Sequence, residues 1–274
     1  MNPIPKIRLI ITDLDDTLLD DQLQITERSR KAIARAIERG CLVAAASGRM
    51  YESIKPYALS LGLDTPVIAC NGAELVDVSD DARLSCVYLP AALARDLVDM
   101  GEALGAYMQV YYERRYYFAE NCSYSERYEA SSGVTGEAVG APLSAFVRCD
   151  TPKLLLYEDD TQKVLQWQAR FVADFPDVVN VTTSKPFYLE FTRPDANKGR
   201  AARELAAMLG IPLAQCAAFG DGENDLPMLT GVGYGVAMGN AKEAVRSRCK
   251  LVAPPNHADG VARTIESWLD AGLI

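Results

Sequence analysis

The chain has 274 residues, 49% hydrophobic and 24% charged, with a formal net charge of −9 and a single histidine, His257. That length suits one large or two moderate domains with a sizeable core. The acidic balance excludes the clustered Lys/Arg footprint of a nucleic-acid binder, no apolar run approaches the ~20 residues of a membrane span, and one histidine disfavours a Cys/His zinc site.

Leu9-Ile10-Ile11 reads as a strand buried on both faces that runs into Asp13-Leu14-Asp15-Asp16-Thr17. If the strand geometry persists, Asp13 and Asp15 project to one side. Two like charges held that close need a cation between them or widely separated pKa values. A solvated turn leading into a helix cap uses the same residue types. Thr26 then N-caps an amphipathic segment with Ile33, Ala34 and Ile37 at helical spacing and Gly40 as its C′ residue. A second buried strand, 41–46, ends in Ser47-Gly48-Arg49. A helix over about 51–61 leads to a third strand, 67–70, which ends in Asn71-Gly72. This alternation predicts a parallel sheet with right-handed crossovers, and its polar residues come at the carboxyl ends of the strands, where open α/β sheets place ligands.

The rhythm then changes. Segments 74–78 and 84–89 read as a hairpin, followed by a helix (91–104), aromatic strands (107–112 and 116–119) and a polar Ser/Gly/Glu stretch. A strand (153–157), a helix (161–175) and strands 178–183 and 187–191 complete an α+β region, in which most of the tyrosines read as half-buried strand packing. From Lys198 the opening rhythm returns. A helix (199–209) precedes strand 216–219, which runs into Gly220-Asp221-Gly222-Glu223-Asn224-Asp225. Helix 226–229, strand 234–238, helix 241–246, strand 250–252 and helix 261–269 follow. The expected fold class is α/β, a Rossmann-like parallel core of residues 1–81 plus 193–274 with an inserted α+β domain of residues 82–192. The seven cysteines (Cys41, Cys70, Cys86, Cys122, Cys149, Cys216 and Cys249) are scattered, with no Cys-x-x-Cys, and read as buried reduced thiols. Residues 1–5 show no signal-peptide pattern, so a cytoplasmic location is expected.

Singly, Ser47-Gly48 reads as a helix cap, Lys198 as a solvated lysine and residues 220–225 as an acidic turn. If these ends converge on Asp13 and Asp15, the site holds at least three carboxylates, a lysine, a hydroxyl and backbone N–H groups. Carboxylate oxygens select a hard cation such as Mg²⁺, and the cation, Lys198 and helix N-termini together favour an anion. A phosphoryl group suits that environment. Asp13 then attacks phosphorus to form an aspartyl-phosphate, and Asp15 exchanges protons with the leaving oxygen and the attacking water.

Asp13-Leu14-Asp15-Asp16-Thr17, Ser47-Gly48-Arg49, Asn71-Gly72-Ala73, Lys198-Gly199 and the run Gly220 to Leu229 resemble, in order and spacing, the four motifs of the haloacid dehalogenase (HAD) superfamily, and in particular the Cof-type phosphatases with a C2B cap. The resemblance implies a HAD-like core with the insert as cap, a lid that closes over the substrate and excludes water. It implies Asp13 as nucleophile and Mg²⁺ ligand, and Asp15 as acid/base touching the metal through its backbone carbonyl. Asp221 would be the third protein ligand, with Asp225 supporting the metal. Ser47, the backbone of Leu14 and Gly48, Lys198 and Asn224 would hold the phosphoryl oxygens. Asp16 departs from the pattern, since many relatives carry glycine there, and His257 matches no functional position. The expected activity is Mg²⁺-dependent hydrolysis of small phosphorylated metabolites, with neither nucleic acid nor membrane as partner. A phosphomutase acting on hexose phosphates and a non-catalytic phosphometabolite-binding protein are the alternatives. Tyr188, Glu190 and Arg49 are positional candidates for substrate choice, which one sequence leaves open together with the oligomeric state.

Overall fold

A computed structural model of the chain describes residues 6–274, so the signal-peptide reading of residues 1–5 lies outside the described residues. The chain forms two compact units: Met1–Gly48, Ile54–Leu84 and Asn197–Ile274 make one, and Arg49–Ser53 with Ser85–Ala196 the other. In chain order the elements begin with β1 (Leu9–Asp13), α1 (Glu27–Glu38), β2 (Leu42–Ala46), α2 (Tyr51–Ser60), β3 (Val67–Ala69), β4 (Glu74–Val76) and β5 (Arg83–Cys86). Next come α3 (Ala91–Ala103), β6 (Tyr107–Tyr112), β7 (Arg115–Phe118), α4 (Ser123–Ser132), β8 (Glu137–Ala138), β9 (Leu154–Tyr157), α5 (Thr161–Asp174), β10 (Asn180–Thr182) and β11 (Tyr188–Thr192). The chain finishes with α6 (Lys198–Met208), β12 (Cys216–Gly220), α7 (Leu226–Leu229), β13 (Tyr234–Ala237), α8 (Glu243–Arg246), β14 (Leu251–Val252) and α9 (Gly260–Asp270).

The first unit is built on an eight-stranded sheet among the described residues, in the order β14-β13-β12-β1-β2-β3-β4-β5. β1 lies at its centre, between β12 and β2, and all five of its residues are buried, as an uninterrupted apolar run requires. The pairings from β14 across to β3 are parallel, whereas β4 returns antiparallel to β3. The hairpin expected after residue 74 therefore extends the main sheet. Leu9, Ile11, Ala44, Ala46, Leu205 and Met228 pack in one core beneath it. α1 starts where Thr26 Oγ1 accepts from the Ser29 N–H, and the chain leaves it through Gly40 at φ +82°.

In the second unit the sheet order is β10-β11-β9-β6-β7-β8, antiparallel apart from the β7–β8 pair. Strand alternation sends Met108, Val110, Leu154, Leu156, Leu189 and Phe191 into one apolar core with Leu97, Val98, Val164 and Phe171 of α3 and α5. The same alternation puts Gln109, Tyr111, Lys153 and Glu190 on the opposite face. There Lys153 Nζ meets Glu190 Oε1 at 2.7 Å, and the Tyr111 hydroxyl donates to Gln109 Oε1 at 2.7 Å. The polar stretch after residue 119, expected to carry no element, contains α4. Its serines are modest helix formers with little periodic apolar signal, so local sequence understates it. The Cys122 N–H donates to Ser125 Oγ at the start of α4, Gly133 (φ +70°) ends it, and Tyr128 anchors it with its hydroxyl 2.6 Å from that of Tyr111.

All seven cysteines are free thiols; Cys41, Cys70 and Cys216 are buried, whereas Cys86 is exposed, contrary to the reading of buried thiols at that position. Burial, aided by the neighbouring Cys216, pushes the Cys41 thiol up to about 12, and burial pushes Cys216 up to about 11. An unfolded thiol titrates near ~8.5, so between that pH and the folded values the native state holds more protons than the unfolded chain. Their contribution to stability is complete below about pH 8.5 and is lost as pH rises toward 11–12. The urea midpoint is expected to fall between pH 8 and 10.5, and to fall less steeply in Cys41→Ala/Cys216→Ala. Equal slopes in the two proteins would remove the thiols as the cause. Among the described residues, no helix is long and apolar enough to cross a membrane.

Candidate active site

Register brings the polar strand ends together. In the parallel pairs Asp13 stands opposite Ala46, and Thr12 opposite Phe219, so Ser47 and Asp221 each lie just beyond strand ends that flank Asp13. The short helical turn of residues 14–18 follows β1, and α6 presents Lys198 as its first residue, with Asn197 Oδ1 capping the helix by accepting from the Arg200 N–H at 2.9 Å. Lys198 Nζ donates to Asp13 Oδ1 at 2.5 Å and to Asp225 Oδ1 at 2.6 Å, and all three side chains are buried. The other Asp225 oxygen accepts from the Asp221 and Gly222 N–H groups at 3.1 and 2.9 Å, which binds the 220–225 loop to the lysine. Gly220 lies so close to the Asp225 carboxyl that a Cβ there would collide with it.

Asp13, Asp221 and Asp225 each offer a carboxylate oxygen, and these atoms all lie within 4.8 Å of one another. Burial pushes the Asp13 carboxyl well above the ordinary range; Lys198 opposes the shift, while Asp225, Asp221 and Asp15 add to it. Burial, with Asp225 adding repulsion, pushes Asp221 up to about 7. Burial disfavours the Lys198 charge, but Asp13 and Asp225 outweigh it and hold the ammonium above the usual lysine range. One ammonium cannot neutralise three neighbouring carboxylates. An all-oxygen donor set with excess negative charge fits a hard divalent cation such as Mg²⁺.

The expectation that Asp13 and Asp15 share a strand face is corrected by the backbone. β1 ends at Asp13, and Asp15 (φ −68°, ψ 132°) and Asp16 (φ 58°, ψ 10°) take non-helical conformations inside the turn. Asp15 is half-buried, and its side chain is not part of the three-acid cluster. Asp16 occupies the left-handed region, which glycine enters freely and aspartate tolerates. Ser47 is buried, its N–H donating to the Ile68 carbonyl at 2.9 Å, and Gly48 follows it half-buried; Leu14 is buried at the start of the turn. Asn224 Nδ2 donates to Asn71 Oδ1 at 3.0 Å. Two partners went unassigned in the sequence reading. Thr17 Oγ1 donates to Asp221 Oδ1 at 3.0 Å, and Asn71 meets Asn224. Their signal was present, since Thr17 and Asn71 both lie within the quoted motifs. His257 is exposed in a turn before α9.

The profile of the haloacid dehalogenase-like hydrolases matches residues 10–265, nearly the whole chain. The chain belongs to this family. Within it the Cof-type phosphatases are its kin. The chain is 30% identical over 280 residues to the pyridoxal phosphate phosphatase YbhA of Escherichia coli (strain K12), covering 96% of this chain and 98% of the relative. It is 28% identical to the 5-amino-6-(5-phospho-D-ribitylamino)uracil phosphatase YitU of Bacillus subtilis (strain 168), covering 95% of this chain and 97% of that one. Among solved structures it is similar to TM0651 from Thermotoga maritima, with 31% identity, a TM-score of 0.82, and coverage of 95% of this chain and 97% of that one. This HAD-family protein is accordingly a phosphomonoester hydrolase with the α/β Rossmann-like core of the family.

Proposed function

We propose that the protein hydrolyses phosphate monoesters of small metabolites in a Mg²⁺-dependent reaction that passes through a phosphorylated Asp13. The observation that supports this reading is the meeting of Asp13, Lys198 and the Asp221/Asp225 loop, three segments far apart in sequence, in one cluster in which Asp13, Lys198 and Asp225 are buried and Asp221 is half-buried. Asp13, Asp221 and the backbone carbonyl of Asp15 would hold Mg²⁺, with Asp225 in support. When bound, the ion supplies charge neutralisation for the cluster and for the phosphoryl oxygens. Asp13 forms the O–P bond as the bond from phosphorus to the leaving oxygen breaks, and Asp15 donates its proton to that oxygen. Water then attacks phosphorus and gives a proton to Asp15. The Asp13–phosphorus bond breaks, releasing inorganic phosphate and regenerating both carboxyl groups as they began. Ser47, the backbone N–H groups at Leu14 and Gly48, Lys198 and Asn224 hold the phosphoryl oxygens during both steps.

The test is a hydrolysis screen over phosphorylated metabolites, with pyridoxal phosphate, phosphoribityl compounds and hexose phosphates included, run with Mg²⁺ and with EDTA. Inorganic phosphate is expected only in the Mg²⁺ arm. Saturating Mg²⁺ should also raise the unfolding midpoint, because a ligand at a hundred times its Kd stabilises by about 2.7 kcal/mol, or roughly 5 °C in a chain of this size. Undiminished turnover in EDTA would exclude the metal. Isomerised hexose phosphate with little phosphate released would reassign the reaction to a mutase, and tight binding with no turnover on any compound would leave only a binding function.

A further inference from the structure

The end of β3 has an unusual backbone. Cys70, Asn71 and Gly72 take three successive left-handed conformations, at φ +50°, +55° and +90°. Two of the three are not glycine, and such residues tend to gather where a site needs a particular geometry. The turn is tied to three other parts of the first unit. Its Asn71 N–H donates to the Ser47 carbonyl at 3.0 Å, and its Gly72 carbonyl accepts from Arg200 Nη2 at 2.8 Å. Gly72 packs against the Asn197 carbonyl, so closely that no Cβ would fit, and thereby abuts the start of α6 where Lys198 stands. Asn71, 4% exposed, turns its Oδ1 toward Asn224 Nδ2. The opposite edge of that carboxamide, Asn224 Oδ1, lies against Gly222, where a Cβ would strike it.

We propose that Asn71 is a positioning residue that fixes the Asn224 carboxamide. With one Nδ2 proton engaged by Asn71 Oδ1 and Oδ1 lodged against Gly222, the amide plane has one orientation, and its second Nδ2 proton is available to a phosphoryl oxygen. Asn71 touches no reacting atom in this account; it acts through Asn224. The left-handed turn is what lets a single residue reach the Ser47 carbonyl with its backbone and Asn224 with its side chain. The inference rests on the phosphatase reading above, in which Asn224 holds a phosphoryl oxygen.

Asn71→Gly is the informative variant, because glycine keeps the left-handed backbone and removes only the side chain. With p-nitrophenyl phosphate and Mg²⁺, kcat/KM is expected to fall about tenfold, the scale of one hydrogen bond, and the Ki for inorganic phosphate to rise by a similar factor. The relief of the left-handed backbone offsets part of the lost side-chain contact, so the unfolding midpoint should move by only a few degrees and the protein remain folded at the assay temperature. Asn224→Ala should lose at least as much, and the double variant Asn71→Gly/Asn224→Ala should be no worse than Asn224→Ala alone, since both changes remove one contribution. Wild-type kcat/KM in Asn71→Gly, or losses that multiply in the double variant, would overturn the assignment. An active Asp13→Asn would instead defeat the phosphatase mechanism itself, so the two failures are separable.

Discussion

Asp13→Asn is expected to lower the hydrolysis of p-nitrophenyl phosphate by about four orders of magnitude or more, to the background of the assay. A carboxamide is close in size to the carboxylate but is a poor nucleophile toward phosphorus, so the substitution removes the attacking group while keeping the packing. The fold should tolerate it. Lys198 keeps its 2.6 Å contact with Asp225, and one charge leaves a cluster in which burial and the neighbouring acids already push the Asp13 carboxyl upward. The unfolding midpoint without metal should therefore change by a few degrees at most, while the Mg²⁺-induced rise shrinks because one of three acidic oxygens is gone. Steady-state assay together with thermal unfolding in both conditions checks this. Activity within about tenfold of wild type would exclude Asp13 as the nucleophile.

Lys198→Met should cost both activity and stability. Methionine follows the lysine stem, but it leaves Asp13 and Asp225 facing each other without the ammonium that now contacts both. Removing one partner of a buried ion pair costs about 3–5 kcal/mol, because the charge left behind is neither solvated nor paired. In a chain of this length that amounts to roughly 5–9 °C in the unfolding midpoint. The loss should couple to Asp13. Adding Asp13→Asn to Lys198→Met removes one of the stranded carboxylates and should recover part of the midpoint, a coupling that independent sites would not display. Hydrolysis should be undetectable in both variants. An unchanged midpoint in Lys198→Met would mean that the lysine does not hold the two acids in solution.

Much of the site was legible from residue order. Polar residues at the ends of apolar strands point to the ligand-binding edge of a parallel sheet; Asp13 ends β1, and Ser47 and Asp221 follow the two strands that flank it. The central strands and the longer helices agree with the sequence reading to within a residue or two, because their periodic apolar patterns reflect burial directly. Short elements with weak patterns fared worse. α4 carries few apolar residues and is held by Tyr128, whose contacts come from strands both before and after it in the chain, through Tyr111, Tyr116 and Tyr188. The strand ends at Asp13, so period-two spacing does not describe Asp15, although its charge still acts on the Asp13 carboxyl.

The amino-acid sequence alone determined which chemical groups stand at which strand ends, and hence the alternating α/β core and the oxygen-rich character of the site, because burial periodicity and side-chain chemistry are local properties. Only the tertiary structure decided which of those groups share a charge or a hydrogen bond. The Lys198 bridge between Asp13 and Asp225, the Thr17–Asp221 contact and the Asn71–Asn224 pair each join residues distant along the chain. Such contacts depend on strand order and loop conformation, which follow from the packing of the whole sheet and which no single stretch encodes.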